Sequence, residues 1–584
     1  MAEYDLLIKN GTIVDGTRIP AYKGDIGIRG GRIVAMGNLT ESASRVLDAT
    51  GAVVAPGFVD IHTHYDAQLS GGTRWDPYAS LSGWHGVTTV TIGNCGFGFA
   101  PVKLDDRERA MRRMERTESI PYSCMKAGMR WDWITFPQFL NSLEQGGLGV
   151  NAAALVPYSP LRAWVMGNEA ARDPAYEAKT EEIVAMKHIL REGLEAGGFG
   201  FSGSFSLSNR DFDGGYLPTH VAPREEFLEM AMVLRGFNRG SIEWTMGTSV
   251  RGLSQDFLLE LAKVSGRPVN WYAVLYDPTK PNNWRKQLQW TEKAYREAVI
   301  MPVSICVPIE HEFTLDTIGL FDRLPSWNEA TVGTRDERKA KLADPARRPG
   351  LRRDLEHDEV QASHLGEDDG EAGQVSNFKF DSIVVDHVYL EKNRCYEKRS
   401  IAACAKEQGK HPVDFMLDLA VEEDLKTDFA QSDFLNNNDE ALEQILKHPL
   451  TIVSGSDGGA HTKFTTLGRY PTYFLAHFVR DKHIMTLEEA HWRMSTMVAW
   501  AAGIRDRGWL REGMPADIVI YDLENLKMKP LETVHDLPDG DWRRVQKAEG
   551  YRFIIVNGQL TFEDGICTGA LPGKLLRSYD MVPG

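Results

Sequence analysis

Three shortages narrow what this chain can be: few cysteines, no long apolar run and no excess of basic residues. The six cysteines have neither zinc-knuckle nor redox-motif spacing, which favours a reducing compartment. No apolar run is long enough to span a membrane, and the start of the chain lacks a signal peptide's features, so we expect a cytoplasmic protein without a membrane partner. Acidic residues outnumber basic ones by 82 to 66, which argues against a nucleic-acid partner, because binding phosphates requires a basic surface. We also expect a homo-oligomer.

The middle of the chain alternates candidate strands with candidate helices. At 584 residues the chain fits a large barrel with a smaller companion. The eight candidate strands are Gly57–His64, Val87–Gly93, Asn151–Tyr158, Gly198–Ser204, Ser241–Gly247, Pro268–Leu275, Ile300–Ile309 and Thr451–Asp457. Most are continuous apolar runs, as in parallel strands that are covered on both faces. Eight such units in sequence predict an α/β fold of the (β/α)₈ TIM-barrel type.

Both ends of the chain are rich in short strands. Tyr4–Lys9 precedes Asn10-Gly11, a tight-turn signal, and Asp517–Tyr521 has the same texture near the other end. We therefore expect one small β domain made of residues 1–56 and 501–584, around a barrel of residues 57–500.

Two stretches interrupt the alternation of strands and helices, at about residues 103–140 and 322–380, and we expect insertions over the barrel mouth. The second is strongly charged, with residues 335–353 predicted as an exposed helix and 366–373 as an acidic loop. A solvated surface excursion is the favoured interpretation of this second stretch.

The first chemical signal is the pair His62 and His64 at the end of the first barrel strand. Residues i and i+2 of a strand point to the same side, so the two imidazoles share one space. Imidazole pairs suit divalent metals, and barrel enzymes place their catalytic groups at the carboxyl ends of strands. The alternative is that the two histidines have no common role. Their position at the carboxyl end of a barrel strand makes this alternative the weaker interpretation.

The second signal is Asp457, at the end of the eighth strand. An Asp-Gly pair alone usually marks a turn. Across a closed barrel, however, this carboxylate would reach the same mouth as the two histidines. It could then ligate a metal and take a proton from metal-bound water.

Several motifs resemble the amidohydrolase superfamily, and in particular its N-acyl-D-amino-acid deacylase (D-aminoacylase) branch. They are Gly57–His64 (GFVDIHTH), Gly86–Gly96 (GVTTVTIGNCG), Gly513–Val519 (GMPADIV) and Val556–Gly558, and the similarity covers nearly the whole chain. The resemblance implies a urease-like small β-sandwich domain from both termini. It also implies metal ligation by His62, His64 and the Cys95 thiolate, with Asp457 as ligand and general base. A buried cysteine without a ligand role is the alternative for Cys95, but its place at the end of the second strand favours a ligand.

The chain also departs from that branch. The histidines expected at the ends of strands five and six are replaced by Glu243–Met246 (EWTM) and Trp271–Leu275 (WYAVL), and Tyr158 stands where a histidine is expected near the end of strand three. These departures favour one metal ion over two and a divergent member of the branch. Possible replacement ligands are His220, Glu310 and His311, for each of which a surface or core role is the commoner one.

Further residues are candidates for contacting the substrate. Tyr158, Trp244 and Tyr272 could line an apolar pocket, although aromatic residues are more often core. Arg162 and Arg469 could hold a carboxylate, although a salt bridge is the usual fate of an arginine. His461 could touch substrate or cap the following loop.

The leading hypothesis is a Zn²⁺-dependent amidohydrolase acting on a small-molecule substrate with an amide-like C–N bond, most simply a linear amide. Zinc would lower the pKa of bound water, and Asp457 would act as general base. One alternative keeps this site but cleaves a cyclic ureide, a carbamate, a lactone or an aryl amide. Another is a non-catalytic scaffold barrel, which would have no need of convergent ligands.

Overall fold

The computed structural model describes residues 2–316, 319–356, 379–464 and 466–581. Within these ranges its strands in chain order are β1 Tyr4–Ile13, β2 Tyr22–Arg29, β3 Arg32–Gly37, β4 Ala43–Asp48, β5 Val53–Pro56, β6 Phe58–Asp60, β7 Val87–Ile92, β8 Asn151–Ala154, β9 Val156–Pro157, β10 Gly200–Ser204, β11 Ser241–Thr245, β12 Val269–Tyr272, β13 Ile300–Ser304, β14 Ile309–Phe313, β15 Val384–His387, β16 Asp428–Leu435, β17 Ile452–Val453, β18 Ile518–Tyr521, β19 Lys527–Met528, β20 Glu532–Val534, β21 Arg543–Val545, β22 Ala548–Glu549, β23 Tyr551–Val556, β24 Gln559–Glu563 and β25 Ile566–Cys567.

Helices separate most of the strands in the middle of the chain. The α-helices are Asp66–Gly71, Ser80–Gly83, Arg107–Glu118, Tyr122–Gly128, Phe136–Gly146, Tyr158–Met166, Asn168–Ala171, Thr180–Glu195, Pro218–Val221, Arg224–Arg235, Gln255–Ser265, Asn283–Tyr295, Pro325–Thr331, Arg335–Ala343, Arg348–Glu356, Ile401–Glu407, Pro412–Glu422, Asp439–Lys447, Tyr470–Tyr473, Leu487–His491 and Met497–Ala501, with π-helical segments at Phe474–Asp481 and Trp492–Thr496. In the described part of the chain, no helix combines the length and the apolar character needed to cross a bilayer.

One helix illustrates how the local sequence sets the boundaries of these elements. Gln255–Ser265 buries Phe257, Leu258 and Leu261, which recur at the spacing of one helical face. Gly266 ends the helix with a φ of 62°, and its N–H donates to Ala262 O at 2.9 Å. This left-handed conformation favours glycine at a helix end. The helix therefore packs on the sheet through one apolar face and stops where the next strand must begin.

The eight strands predicted for the middle of the chain are all present, but they are shorter than predicted. They are paired in parallel, in the orders β6-β7-β8 and β9-β10-β11-β12-β13-β17. The predicted third strand is interrupted at one residue, Leu155, between β8 and β9. After β17, Asp457 N donates to His62 O at 3.1 Å, and Thr63 pairs in parallel with Gly458. The pairings therefore run from the first strand to the eighth and return to the first.

The two ends of the chain meet in one nine-stranded sheet. Its order is β25-β24-β23-β18-β5-β1-β2-β3, and β4 pairs with β1. The turn predicted at Asn10-Gly11 is wrong, because β1 continues through it with a shift in register against β2. Asn10 adopts a φ of 63°, and its N–H donates to Asp25 Oδ1 at 2.8 Å. Asparagine tolerates this left-handed conformation, so the residues that favour a turn form a bulge instead.

The segment between β13 and β17 differs from the surface excursion predicted for residues 322–380. Its helices pack with an antiparallel sheet of order β14-β16-β15 around a separate apolar core, which contains the fully buried Trp327 and Leu351. The many charges of the sequence obscured this core, because each short helix buries only one narrow face. The predicted acidic loop at 366–373 lies outside the described residues.

Candidate metal centre

Four predicted ligands meet where the parallel strands end. His62 and His64 follow β6, Cys95 follows β7, and Asp457 follows β17. His62 and His64 are each 1% exposed and Cys95 is 5% exposed, whereas the Asp457 side chain is 21% exposed. The strands therefore hold three nearly inaccessible donors and one carboxylate that faces the mouth.

The distances from Cys95 and from Asp457 to the two imidazoles are those expected between ligands of one metal ion. Cys95 Sγ lies 3.4 Å from His62 Nε2 and 3.7 Å from His64 Nε2. Asp457 Oδ1 lies 3.4 Å from His62 Nε2 and 3.3 Å from His64 Nε2. Ligands bound at roughly 2.0–2.3 Å with tetrahedral angles are separated from each other by about 3.3–3.6 Å. Nitrogen, sulfur and oxygen donors at this spacing form the set that zinc prefers.

Backbone strain is concentrated at two of these residues. Cys95 has a φ of 58° and Asp457 a φ of 54°. The left-handed region costs a non-glycine residue roughly 1–2 kcal/mol. Cys95 N donates to Glu243 Oε2 at 2.9 Å and Asp457 N to His62 O at 3.1 Å, so contacts within the site hold both conformations. Strain that is maintained in this way is typical of functional sites.

The charges around the two imidazoles favour a bound cation. Burial alone would lower the pKa of His62, but the Cys95 sulfur and the Glu243 carboxylate hold this pKa well above its ordinary value. Burial also opposes the charged form of Asp457, yet hydrogen bonds from His62 and His64 hold the pKa of its carboxyl well below the usual range. Acidic groups thus lie against both imidazoles, and such an environment favours a bound cation.

Strand β11 places beside His62 a residue that the sequence did not single out as functional. Glu243 Oε1 lies 3.1 Å from His62 Nδ1, the nitrogen that does not face Cys95. Two residues later, Thr245 Oγ1 lies 3.1 Å from Cys95 Sγ. The Tyr272 ring, from β12, stacks on the His62 imidazole with a centroid distance of 3.8 Å. Tyr272 is therefore at the site, where it supports a candidate ligand.

Trp244 does not join these residues. Alternate residues of a strand face opposite sides, so Trp244 points away from Glu243 and Thr245. It is fully buried against the rings of Phe205 and Phe227, with centroid distances of 4.9 and 5.1 Å. Its predicted place in a substrate pocket is corrected to a place in the core between strands and helices.

Asp60 joins the first strand to the last. Its Oδ1 accepts from Gly455 N at 3.1 Å, from Ser456 N at 3.3 Å and from Ser454 Oγ at 3.4 Å. The residue lies two positions before His62 in the predicted metal motif, which was a signal that it belonged to the site. Its contacts keep the Asp457 loop in register with the two histidines.

Glu118 is a second functional candidate that sequence reasoning missed. It ends the helix Arg107–Glu118, inside the first predicted insertion, and is 2% exposed. Its Oε2 lies 3.6 Å from His64 Nε2 and 3.5 Å from His461 Nε2. His64, Glu118 and Asp457 form a second group of donors close enough to share a metal ion. The charged sequence around Glu118 is typical of a surface helix and contained no signal of this contact.

A family model described as "Amidohydrolase family" matches residues 45–562. The chain belongs to the amidohydrolase family. An N-acyl-D-aspartate deacylase of Alcaligenes xylosoxydans xylosoxydans is 28% identical, with 100% of this chain and 97% of the relative covered. A D-aminoacylase of the same organism is 25% identical, with 98% and 97% covered. The crystal structure of N-acyl-D-glutamate deacylase from Bordetella bronchiseptica, complexed with zinc and a phosphonate inhibitor, has a TM-score of 0.66 and 23% identity over 98% of this chain and 99% of that one, so the two share a fold.

Two predicted substrate contacts of this amidohydrolase lie elsewhere. Tyr158 and Arg162 are fully buried on the helix Tyr158–Met166, where both donate to the Glu226 carboxylate. The Arg162 Nε–Glu226 Oε1 distance is 2.8 Å. The guanidinium is thus already paired with a carboxylate of the protein, and the structure does not bring either side chain to the four candidate ligands.

The Arg469 guanidinium is also hydrogen-bonded to oxygen atoms of the protein. It donates to Thr466 O at 3.1 Å, to Thr466 Oγ1 at 3.0 Å and to Pro308 O at 3.4 Å. Burial lowers its pKa.

His461, by contrast, is at the mouth, with its Nε2 3.8 Å from Asp457 Oδ2. Of the two alternatives for His461, this position favours contact with a substrate.

Two of the three possible replacement ligands, His220 and Glu310, are not gathered at the site. His220 is fully buried in the helix Pro218–Val221, its Nδ1 accepts from Leu217 N at 3.3 Å, and burial holds its pKa well below the ordinary value. Glu310 is exposed on β14 and interacts electrostatically with Arg469. The His311 side chain lies outside the described part. Neither His220 nor Glu310 belongs to a group of donors found among the described residues.

Proposed function

We propose that this amidohydrolase hydrolyses a linear amide C–N bond at one zinc ion held by His62, His64, Cys95 and Asp457. The observation that carries the proposal is that Cys95 Sγ and Asp457 Oδ1 each lie 3.3–3.7 Å from Nε2 of both histidines. When bound, zinc would supply Lewis acidity, polarising a carbonyl oxygen and lowering the pKa of water. A scaffold protein would have no need of such a donor set.

Asp457 is the residue to which we assign the proton transfers. Its Oδ1 faces both imidazoles, while Oδ2 faces His461 at the partly open mouth. A water molecule that attacks the amide carbon must lose a proton, and the leaving nitrogen must gain one. Asp457 can accept the first and deliver the second, because one carboxylate oxygen remains accessible from the mouth.

The test combines metal analysis with a substrate panel. Purified protein should contain about one zinc per chain, and His64→Ala, which removes one of the four donors, should bind zinc much more weakly. Zinc-loaded protein should hydrolyse at least one N-acyl amino acid, and metal-free protein should not. Zinc that binds His64→Ala as tightly as wild type, or activity that survives complete removal of metal, would overturn the proposal.

The substrate class is an N-acyl amino acid by similarity to relatives whose names are N-acyl-D-aspartate deacylase and D-aminoacylase. One observation favours a second candidate. Both arginines considered for holding a substrate carboxylate, Arg162 and Arg469, are already occupied by protein acceptors. An aryl amide, carbamate, lactone or cyclic ureide needs no such arginine. Comparing N-acyl-D-amino acids with these compounds on zinc-loaded protein separates the two candidates.

For the fold, we propose a closed (β/α)₈ barrel of residues 57–500 and a urease-like β-sandwich of residues 1–56 and 501–584. The return of the strand pairings from β17 to the first strand supports closure, and the shared sheet of the two termini supports the second domain. A small-molecule substrate, a cytoplasmic location and a homo-oligomeric state complete the proposal.

A further inference from the structure

A cavity of about 740 Å³ lies at the opposite end of the parallel strands from the candidate metal centre. Gly240 and Arg267 line it, directly before the amino ends of β11 and β12. The candidate ligands, by contrast, follow the carboxyl ends of their strands. The cavity has the volume of a typical small-molecule site, roughly 300–1,000 Å³. A ligand here would not occupy the space of the substrate.

Three arginines with no acidic partner line this cavity: Arg239, Arg267 and Arg505. Among the residues that the structure describes, no carboxylate forms an ion pair with any of them. Arg239 donates to Leu194 O and Ser578 Oγ, and Arg267 donates to Asn238 Oδ1 at 2.8 Å. The Nε of Arg267 is buried without a hydrogen-bond partner. In a chain with a net charge of −16, such a group of unneutralised cations is a local positive site.

Two of these cations repel each other. Burial lowers the pKa of Arg267, and the charge of Arg505 lowers it further. Burial also lowers the pKa of Arg505. An anion placed between the two guanidinium groups would relieve this repulsion and satisfy their remaining N–H donors.

Aromatic rings form another part of the cavity wall. Phe237, Trp500, Trp509 and Tyr579 line it, and the Arg505 guanidinium lies 5.5 Å from the centroid of the Trp500 ring. Trp500 is 40% exposed, and the indole N–H of Trp509 is buried without a hydrogen-bond partner. Flat apolar faces beside guanidinium groups that lack a carboxylate partner suit a ligand that joins a planar ring to an anionic group.

We propose that this cavity binds an aromatic phosphate of the size of a nucleoside monophosphate. A phosphate monoester carries a charge of about −1.5 to −2 at neutral pH and three acceptor oxygens, which matches several guanidinium groups better than one carboxylate does. The planar ring would stack on the tryptophans. This site is independent of the proposed amide hydrolysis.

The test uses AMP as the probe on zinc-loaded protein, followed by calorimetry and by quenching of tryptophan fluorescence. We expect saturable binding of one AMP per chain that weakens as salt concentration rises. Adenosine and inorganic phosphate, which each lack one half of the ligand, should bind at least tenfold more weakly. Absence of saturable AMP binding would overturn the proposal.

Substitutions locate the site. Arg505→Gln and Arg267→Gln should each weaken AMP binding by at least tenfold while leaving amide hydrolysis and circular dichroism unchanged. Arg296→Gln, at an exposed position outside the cavity, is the matched control and should bind AMP like wild type. AMP binding that survives both cavity variants but disappears when zinc is removed would place AMP at the metal centre and refute the inference.

Discussion

Glu243 Oε1 lies 3.1 Å from Nδ1 of His62, while Nε2 of the same imidazole faces Cys95 and Asp457. This is an ion-pair distance and not a hydrogen bond, because His62 Nδ1 is buried without a hydrogen-bond partner within the described ranges. A carboxylate beside the second nitrogen of a ligand imidazole raises the basicity of the ring. Glu243 belongs to the phrase Glu243–Met246, where the resemblance leads to the expectation of a histidine, and it lies beside another candidate ligand. Glu243 also receives the N–H of Cys95, so one carboxylate supports two of the four donors.

Replacing Glu243 by glutamine should therefore weaken zinc binding without removing a ligand. We expect Glu243→Gln to lower zinc affinity by about 10–100-fold, the usual effect of losing such a support. Competition with a chelator of known affinity measures the change. Glu229→Gln, at a partly exposed residue paired with Lys187, is the matched control. Equal affinities for Glu243→Gln and wild type would show that Glu243 has no such role.

Cys95 should be a thiolate ligand, which can be tested spectroscopically. Protein loaded with Co²⁺ in place of zinc should show a thiolate-to-metal charge-transfer band, because a cysteine that binds metal is deprotonated. Cys95→Ser should lose the band, and Cys395→Ser, which changes an exposed cysteine, should keep it. If the band is absent from wild-type protein, Cys95 is a buried neighbour of the metal and only three candidate ligands remain.

Asp457→Asn should lower the rate of hydrolysis while zinc binding persists. The amide preserves the shape of the side chain but cannot accept a proton, so we expect kcat to fall by about 10²–10⁴-fold. Zinc should still be detectable, since His62, His64 and Cys95 remain. Metal analysis and kcat are measured on the same preparation, with Asp481→Asn as an exposed control. Full activity of metal-loaded Asp457→Asn would assign the proton transfers to another residue.

Stability should fall in mild acid because of a buried histidine away from the metal centre. His85 lies between Thr472 Oγ1 and Gln546 O, each at 2.7 Å, and burial lowers its pKa to about 4. In the unfolded chain the pKa is about 6.5, so the unfolded state binds the proton first as the pH falls. The stability held by neutral His85 is thus complete above about pH 6.5 and is lost toward pH 4, at up to about 1.4 kcal/mol per pH unit.

Urea unfolding midpoints at pH 7.5, 6 and 5 measure this effect. His85→Gln should be less stable than wild type at pH 7.5, but its midpoint should decline less steeply with acid. His188→Gln changes a histidine whose side chain is 69% exposed and should follow the wild-type curve. Comparing slopes removes the contribution of zinc release, which is common to all three proteins. Parallel slopes for wild type and His85→Gln would contradict the expectation.

Much of the fold could be predicted from local patterns. The positions of the eight parallel strands follow from apolar runs of strand length, which depend only on neighbours in sequence. The same holds for the pair His62 and His64, because the alternation of a strand directs both side chains to one side. Asn10-Gly11 shows the limit of such patterns: residues that tolerate a positive φ mark either a turn or a bulge, and only the pairing partner decides which.

By itself, then, the amino-acid sequence determined the order of the elements, the two histidines and the carboxylate at the last strand. The tertiary structure alone decided that Glu118 and Glu243 lie beside those histidines and that Trp244 and Arg162 lie elsewhere. It also decided that the residues around Trp327 form a separate apolar core. The physical reason is that a charged side chain is stable wherever opposite charges or hydrogen-bond partners surround it, on the surface or in a buried site. Which groups compensate it depends on contacts between residues hundreds of positions apart, and these exist only once the strands have paired.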